Sequence, residues 1–180
     1  MATKEETQKE KWMGYLALST AIMAVLAALT TLYMGKFSSR AIMTQGQESD
    51  QWAFYQAKSI KQHAFEMNKK ALSLQYRSQK GLPADVAADY EKTLTKYDDE
   101  IKRYDGEKKD IKDKAEGIAK TKLKAQEMGG NFAYALIFLQ IALMLSSLAS
   151  LTKRHYLWYI ALLCNVGWVF YFLDAWLLFY

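Results

Sequence analysis

Hydrophobic and polar positions divide this chain into apolar ends and a highly charged middle. Three stretches are long and apolar enough to cross a bilayer, which takes about 20 residues of helix. They cover residues 15–35, 131–151 and 156–180, and a short charged segment, residues 1–14, precedes the first. The pattern predicts three transmembrane helices.

The middle of the chain, residues 36–130, contains two stripes of apolar positions that alternate steps of four and three. The first stripe is Ala53, Ala57, Ile60, Ala64, Met67, Ala71 and Leu74. The second is Tyr90, Leu94, Tyr97, Ile101, Tyr104, Lys108, Ile111, Ala115 and Ile118. This spacing is typical of the a and d positions of a coiled coil. It predicts two soluble helical arms, about residues 45–78 and 84–127.

A turn separates the two arms at Lys80-Gly81-Leu82-Pro83. Glycine is favoured just after the end of a helix, and proline is favoured in the first turn of the next. We therefore predict an all-α integral membrane protein with three transmembrane helices. A long antiparallel coiled-coil hairpin is inserted between the first and the second.

The two stripes differ in side-chain size, and this difference predicts how the arms pack. The first arm offers alanines such as Ala57 and Ala64, whereas the second offers Tyr90, Tyr97 and Tyr104. Small residues opposite large ones favour a close pair of helices whose tyrosine hydroxyls reach the rim. We expect these five residues to form the seam of the hairpin.

Aromatic and polar residues are dense at the start of the first arm, among them Trp52, Tyr55, Gln56, Lys58 and Lys61. Aromatic side chains on a solvated helix indicate a partner surface. One interpretation is packing against the base of the second arm or against lipid headgroups. The other is a contact between subunits, and this segment is our predicted oligomer or partner interface.

We single out three polar residues within the apolar stretches: two amides, Gln140 and Asn165, and one acid, Asp174. Gln140 and Asn165 flank a short turn at similar distances, so they are expected at a similar depth, where an amide–amide hydrogen bond would join two spans. The alternative is a polar conduit. Asp174 is an acid in an apolar run, and such acids are candidates for function. It forms either an ion pair or hydrogen bond at the interface, or part of a proton- or ion-coupled site.

Charge and motif content limit the other function classes. The net charge is +5, but acids and bases nearly balance across residues 81–127, so we expect anionic lipids rather than nucleic acid as the partner. The two histidines, His63 and His155, lie on different predicted elements, and the single cysteine, Cys164, lies in an apolar run. No metal, phosphate-loop or triad spacing is present, so we predict no cofactor and no enzymatic activity.

Basic residues also bear on the orientation in the membrane. Three spans place the N-terminus and the Lys153-Arg154 turn on one side, and a tight basic turn favours the cytoplasm. The hairpin is then expected outside the cytosol, although basic residues such as Lys36 and Arg40 flank the membrane on that side as well.

Two segments carry a resemblance to a known family: ALSTAIMAVLAAL, residues 17–29, and SDQWAFYQAKSIK, residues 49–61, which are separated by a short connector containing Gly, Ser and Ala. They resemble an uncharacterised family of bacterial membrane proteins that is catalogued as a domain of unknown function. The resemblance implies an N-terminal span, a helical middle and two C-terminal spans over nearly the whole chain. It implies a bacterial inner-membrane protein, in which the expected side of the hairpin is the periplasm, and it implies no catalytic residues.

These features predict a non-enzymatic membrane scaffold that self-associates into a homo-oligomer through its spans and its projecting hairpin. One alternative is a small oligomeric ion channel lined by Gln140, Asn165 or Asp174. Another is an accessory subunit of a larger membrane complex. The expected partners are further copies of the chain and membrane lipids, and other membrane proteins are also candidates.

Overall fold

A computed structural model of the protein describes residues 4–79 and 81–178, with side chains from residue 11 onward. The described chain forms three α-helices: α1, Lys4–Ser78; α2, Ala84–Thr152; and α3, His155–Leu177. The prediction of an all-helical protein is confirmed. Each helix contains a stretch that is long and apolar enough to cross a membrane.

Helices α1 and α2 continue without a break where the sequence suggested connectors between spans and arms. The connector at residues 36–44 is helical, and so is Gly129-Gly130. A glycine inside a helix costs only about 1 kcal/mol relative to alanine, which the hydrogen bonds on either side easily offset. Proline is the strong helix breaker, and the only one in the chain is Pro83.

The chain reverses between α1 and α2 at Gly81 and Pro83. Gly81 has φ of 76°, in the left-handed region that glycine adopts without steric cost. The carbonyl oxygen of Pro83 accepts a hydrogen bond from the amide of Ala87 at 3.0 Å, which begins α2. Lys80, which was predicted to lie in this turn, is outside the described residues.

A second and tighter turn joins α2 to α3. Lys153 has φ of 52°, and Arg154 is extended immediately before α3. Leu178, which directly follows α3, is left-handed and donates its amide hydrogen to the carbonyl oxygen of Asp174 at 2.7 Å. Tyr180, the predicted end of the third span, lies outside the described residues.

The chain divides into two compact units. The first comprises Met1–Ile42 and Lys122–Tyr180, and the second comprises Met43–Thr121. Two clusters form the interior of the first unit. One is built on Met23, Leu139, Ala142 and Ala161, and the other on Phe37, Phe132 and Ala175. Large apolar residues such as Leu32, Met144 and Leu163 also cover its outside, at 62, 67 and 70% exposure.

Two indole hydrogen bonds tie α3 to α1 within the first unit. Trp158 donates to the hydroxyl of Ser19 at 3.0 Å, and Trp168 donates to the hydroxyl of Thr30 at 3.1 Å. Thr30 is fully buried and donates in turn to the carbonyl oxygen of Leu26. These bonds satisfy buried polar groups among apolar side chains, where an unpaired donor is costly.

Helix α3 lies close to α2 at Gly167. A β-carbon at this position would lie 2.7 Å from Cδ1 of Phe138, so the ring would have to move. We predict that Gly167→Ala destabilises the protein by about 1–3 kcal/mol through overpacking. The measurement is thermal unfolding in mild detergent.

Gly35→Ala is the matched control, because a β-carbon there meets no atom within 4 Å. It should leave stability unchanged or raise it by up to about 1 kcal/mol through helix propensity. Equal unfolding midpoints for the two variants would contradict the close approach at Gly167.

Candidate functional site

The second unit contains a helix pair, formed by residues 43–78 of α1 and residues 84–121 of α2, whose side chains meet in a regular order. Tyr76 stacks on Tyr90 with ring centroids 5.3 Å apart, and Phe65 lies 5.8 Å from Tyr97. Further along α2, Lys58 forms an ion pair with Glu107 at 2.6 Å. From one contact to the next, the residue number in α2 therefore increases as the residue number in α1 decreases.

The three seam tyrosines of α2 face α1, and each of them meets an aromatic ring there. Tyr90 meets Tyr76. Tyr97 and Tyr104 both meet Phe65, and each ring centroid lies 5.8 Å from that of Phe65. Tyr104 is only 7% exposed. Stacked and tilted aromatic pairs of this kind contribute about 0.5–1.5 kcal/mol each beyond their burial.

The predicted seam is wrong on the first arm. Ala57 and Ala64 are exposed, together with the rest of the first stripe. The face of α1 that contacts α2 carries a second repeat of threes and fours, which sequence analysis missed because it mixes polar and aromatic residues. It consists of Tyr55, Lys58, Gln62, Phe65, Lys69, Leu72 and Tyr76.

Side-chain size and charge explain why this face is chosen. Phe65 and Tyr76 cover the tyrosines of α2 with more apolar area than an alanine could. Lys69 forms an ion pair with Asp98 at 2.5 Å, and Lys58 is placed to meet Glu107. The missed signal was the pair Lys58 and Lys69, which lie eleven residues apart, about three turns, on one face of α1 and meet Glu107 and Asp98 on the other arm.

The predicted interface segment is divided by the structure. Tyr55 packs edge-on against Trp52 at 5.7 Å, and the ammonium of Lys108 lies 5.5 Å above the Tyr55 ring. Lys58 is drawn into the helix pair, whereas Gln56 and Lys61 are exposed. Tyr55 and Lys58 are therefore used within the chain.

Lys58 is the centre of a small electrostatic cluster. Its ammonium lies 5.2 Å from the ring of Phe54 and 5.3 Å from that of Tyr104, besides its ion pair with Glu107. The hydrogen bond from Lys58 holds the pKa of Glu107 below its ordinary value, although burial opposes the shift. The positive charges of Lys58, Arg103 and Lys61 add to the lowering.

In the first unit, Asp174 is buried at 3% exposure, and its Oδ2 accepts a hydrogen bond from Nδ2 of Asn131 at 2.7 Å. Sequence analysis missed Asn131, which directly follows Gly129-Gly130. Nearby in the same unit, Phe132 stacks on Phe37 with centroids 5.6 Å apart. The Asp174 carboxylate therefore accepts a hydrogen bond from its own chain, which is the kind of contact that one of the two interpretations of Asp174 expects.

The predicted amide pair does not form. Nδ2 of Asn165 donates to the carbonyl oxygen of Ala161 at 2.9 Å and lies 3.6 Å from the sulfur of Met23. Gln140 is exposed, because the buried face of α2 passes through its neighbour Leu139. A helix turns about 100° per residue, so these two consecutive side chains point in different directions.

Among the side chains of residues 11–79 and 81–178, no three of His, Cys, Asp or Glu come together in a group that could hold a metal ion. Cys164 is a free, half-buried thiol.

The fold defines an all-helical protein with three helices apolar enough to cross a membrane. The chain belongs to the family described as a domain of unknown function, DUF4337, whose model matches residues 12–178. The resemblance to an uncharacterised family is thereby confirmed. No curated protein and no solved structure matches the chain.

The Asn131–Asp174 hydrogen bond yields a stability prediction. Asn131→Ala removes a donor from a buried carboxylate, so we expect a loss of about 1–3 kcal/mol. Ser147→Ala is the control, because Ser147 is exposed and its hydroxyl bonds only to the carbonyl oxygen of Leu143 in its own helix. Thermal unfolding in detergent should separate the two variants, and a control-like midpoint for Asn131→Ala would count against the bond.

The Lys58–Glu107 pair yields a prediction on pH. A lowered pKa in the folded state means that the stabilisation is complete above the ordinary pKa of glutamate and is lost as the pH falls through the lowered value. Glu107→Gln should therefore be less stable than the natural protein at neutral pH, and the difference should shrink in acid. Helix melting followed by circular dichroism across this range is the measurement.

Glu116→Gln is the matched control for that experiment. Glu116 is exposed and lies 3.9 Å from Lys112 on the same helix. Exposed pairs of this kind contribute little. A pH-independent difference between Glu107→Gln and the natural protein would show that the Lys58–Glu107 charge pair is unimportant.

Proposed function

We propose that the protein is a non-enzymatic scaffold that crosses a membrane three times and self-associates into a homo-oligomer. The spans lie in α1, α2 and α3. Support comes from the apolar outer surface of the first unit, since helices that are apolar on all sides are typical of membrane spans. The proposed setting is the bacterial inner membrane.

We further propose that the helix pair is an antiparallel coiled-coil hairpin inserted between the first two spans. Its contacts support this arrangement, because from Tyr76–Tyr90 to Lys58–Glu107 the residue number decreases along α1 and increases along α2. The tight, basic Lys153-Arg154 turn favours the cytoplasmic side for itself. Because the proposed chain has three spans, the hairpin would then lie on the opposite, periplasmic side. Basic residues such as Lys36, Arg40 and Lys124 suit contact with anionic lipid headgroups.

The observation that carries self-association is the exposed amide of Gln140. It lies near the middle of the second apolar stretch, and its exposed neighbours Ile137, Ile141 and Met144 are all apolar. An amide that has no hydrogen-bond partner in hydrocarbon is costly. Gln140 of a second copy supplies both a donor and an acceptor, and such bonds between spans contribute about 0.6–2 kcal/mol.

The channel alternative has less support than the scaffold. A shared pore needs polar side chains that face away from their own chain, whereas Asp174 is buried against Asn131 and Asn165 bonds to its own helix. Gln140 alone of the three predicted polar residues is exposed. A single amide in a dry contact serves association better than conduction.

The test is the mass of the full chain in mild detergent and in lipid nanodiscs, measured by size exclusion with light scattering. The expected result is a discrete multiple of 20.7 kDa. Gln140→Leu should shift the population toward the single chain. Thr31→Val, which changes an exposed hydroxyl bonded to its own helix, should not.

Two outcomes would overturn the proposal. A single chain of 20.7 kDa at every concentration would exclude a homo-oligomer. One copy recovered together with other membrane proteins would instead identify an accessory subunit.

A further inference from the structure

The helix pair leaves one long apolar stripe without a partner. The seven residues of the first stripe, Ala53 to Leu74, all lie on the exposed side of α1. Its large members Ile60, Met67 and Leu74 are 70, 72 and 58% exposed. The steps of four and three run through all seven positions, over three heptads, which is the length at which a coiled coil becomes the expected arrangement.

The order of residue sizes suits a close helix partner. Ala57, Ala64 and Ala71 occupy every seventh position, and a larger residue such as Ile60 or Met67 lies between them. Alanines at one core position let two helix axes approach toward the lower end of the usual 8–10 Å, and the larger residues then fill the layers between them. A stripe that only faced water would have no need for this alternation.

The outer face of α2 does not match the stripe. In residues 84–121 the exposed positions are mostly charged, for example Asp89, Lys96, Asp99 and Lys102. They carry no apolar heptad, and burying them would leave charges unpaired. Within the second unit, the surface that matches the stripe is therefore the same stripe on another copy.

The residues that flank the stripe agree with a parallel pair in register. In such a pair, each residue on one flank meets the residue five positions further along the other helix. The resulting contacts are Gln56 with Lys61, His63 with Asn68, and Lys70 with Gln75 of the second copy. Each sets an amide beside a lysine or an imidazole, and no two lysines meet.

We infer that a second copy of this chain docks here, stripe to stripe and parallel, through Ala57, Ile60, Ala64, Met67 and Ala71. The inference rests on the proposed membrane scaffold. Because α1 is one helix from Lys4 to Ser78, it carries both the first span and the stripe, and copies in the same membrane share its direction. The site deepens the proposal by naming where the arms of two copies meet.

The length of the stripe indicates that the membrane assists this contact. From Ala53 to Leu74 a helix rises about 32 Å, at about 1.5 Å per residue, and Asp50 ends the apolar repeat on its N-terminal side. Such a short coiled coil is weak between free molecules. Association of the spans raises the local concentration of the arms and makes the second contact effectively intramolecular.

The experiment is disulfide cross-linking of the full chain in native membranes. Cys164→Ser removes the only cysteine, and Ala57→Cys, Ala64→Cys or Ala71→Cys is then introduced singly. In a parallel pair each of these positions faces itself, within the 4.4–6.8 Å between α-carbons that a disulfide needs. Ala88→Cys, at an exposed alanine of α2, is the matched control.

We expect each of the three stripe variants to form about ten times more cross-linked dimer than Ala88→Cys. Adding Met67→Lys to Ala64→Cys should lower the cross-linked fraction about tenfold, which corresponds to about 1.4 kcal/mol. All three variants should cross-link alike, because an in-register pair aligns the alanines together.

Other outcomes separate this inference from the scaffold itself. If the mass shows an oligomer but the stripe variants cross-link no more than Ala88→Cys, the stripe is covered by lipid or another protein, and the inference fails while the scaffold stands. If Ala57→Cys links only to Ala71→Cys in mixed samples, the arms are antiparallel and the inference fails in its orientation. A single chain by mass would overturn both.

Discussion

Packing of Phe65 on the tyrosines of α2, together with the ion pairs Lys58–Glu107 and Lys69–Asp98, selects the face of α1 that turns toward the other helix. The lysine side chains are only 20 and 36% exposed, and a charge withdrawn from water needs a partner of opposite sign. With these pairs formed, Phe65 packs on the tyrosines of α2. The alanine stripe then necessarily lies on the opposite side of α1.

The same principle acts in the first unit, where polar groups are satisfied among apolar side chains. The indoles of Trp158 and Trp168 donate to hydroxyls on α1, and Asn131 donates to Asp174. These bonds connect the helices of one chain. Gln140 stands apart, because it is exposed on an otherwise apolar face.

The two exposed features have the same physical meaning in different solvents. In the proposed membrane scaffold, the unmet requirements are a hydrogen bond for Gln140 in hydrocarbon and burial of the apolar stripe from Ala53 to Leu74 in water. A second copy of the chain is our proposed source of both. The proposed self-association would therefore account for what each unit leaves uncovered.

The sequence by itself determined the three helices, the reversal at Gly81 and Pro83, and the apolar stretches, because these depend on local properties: residue hydropathy, the steric freedom of glycine and the missing amide of proline. It also identified the tyrosine stripe on α2. The tertiary structure decided which face of α1 meets those tyrosines, since both faces repeat every seven residues and only contacts across the pair distinguish them. It likewise decided that Asp174 pairs with Asn131, 43 residues away, and that Gln140 does not reach Asn165. Side-chain direction around a helix depends on the neighbour it packs against, and that information is not local.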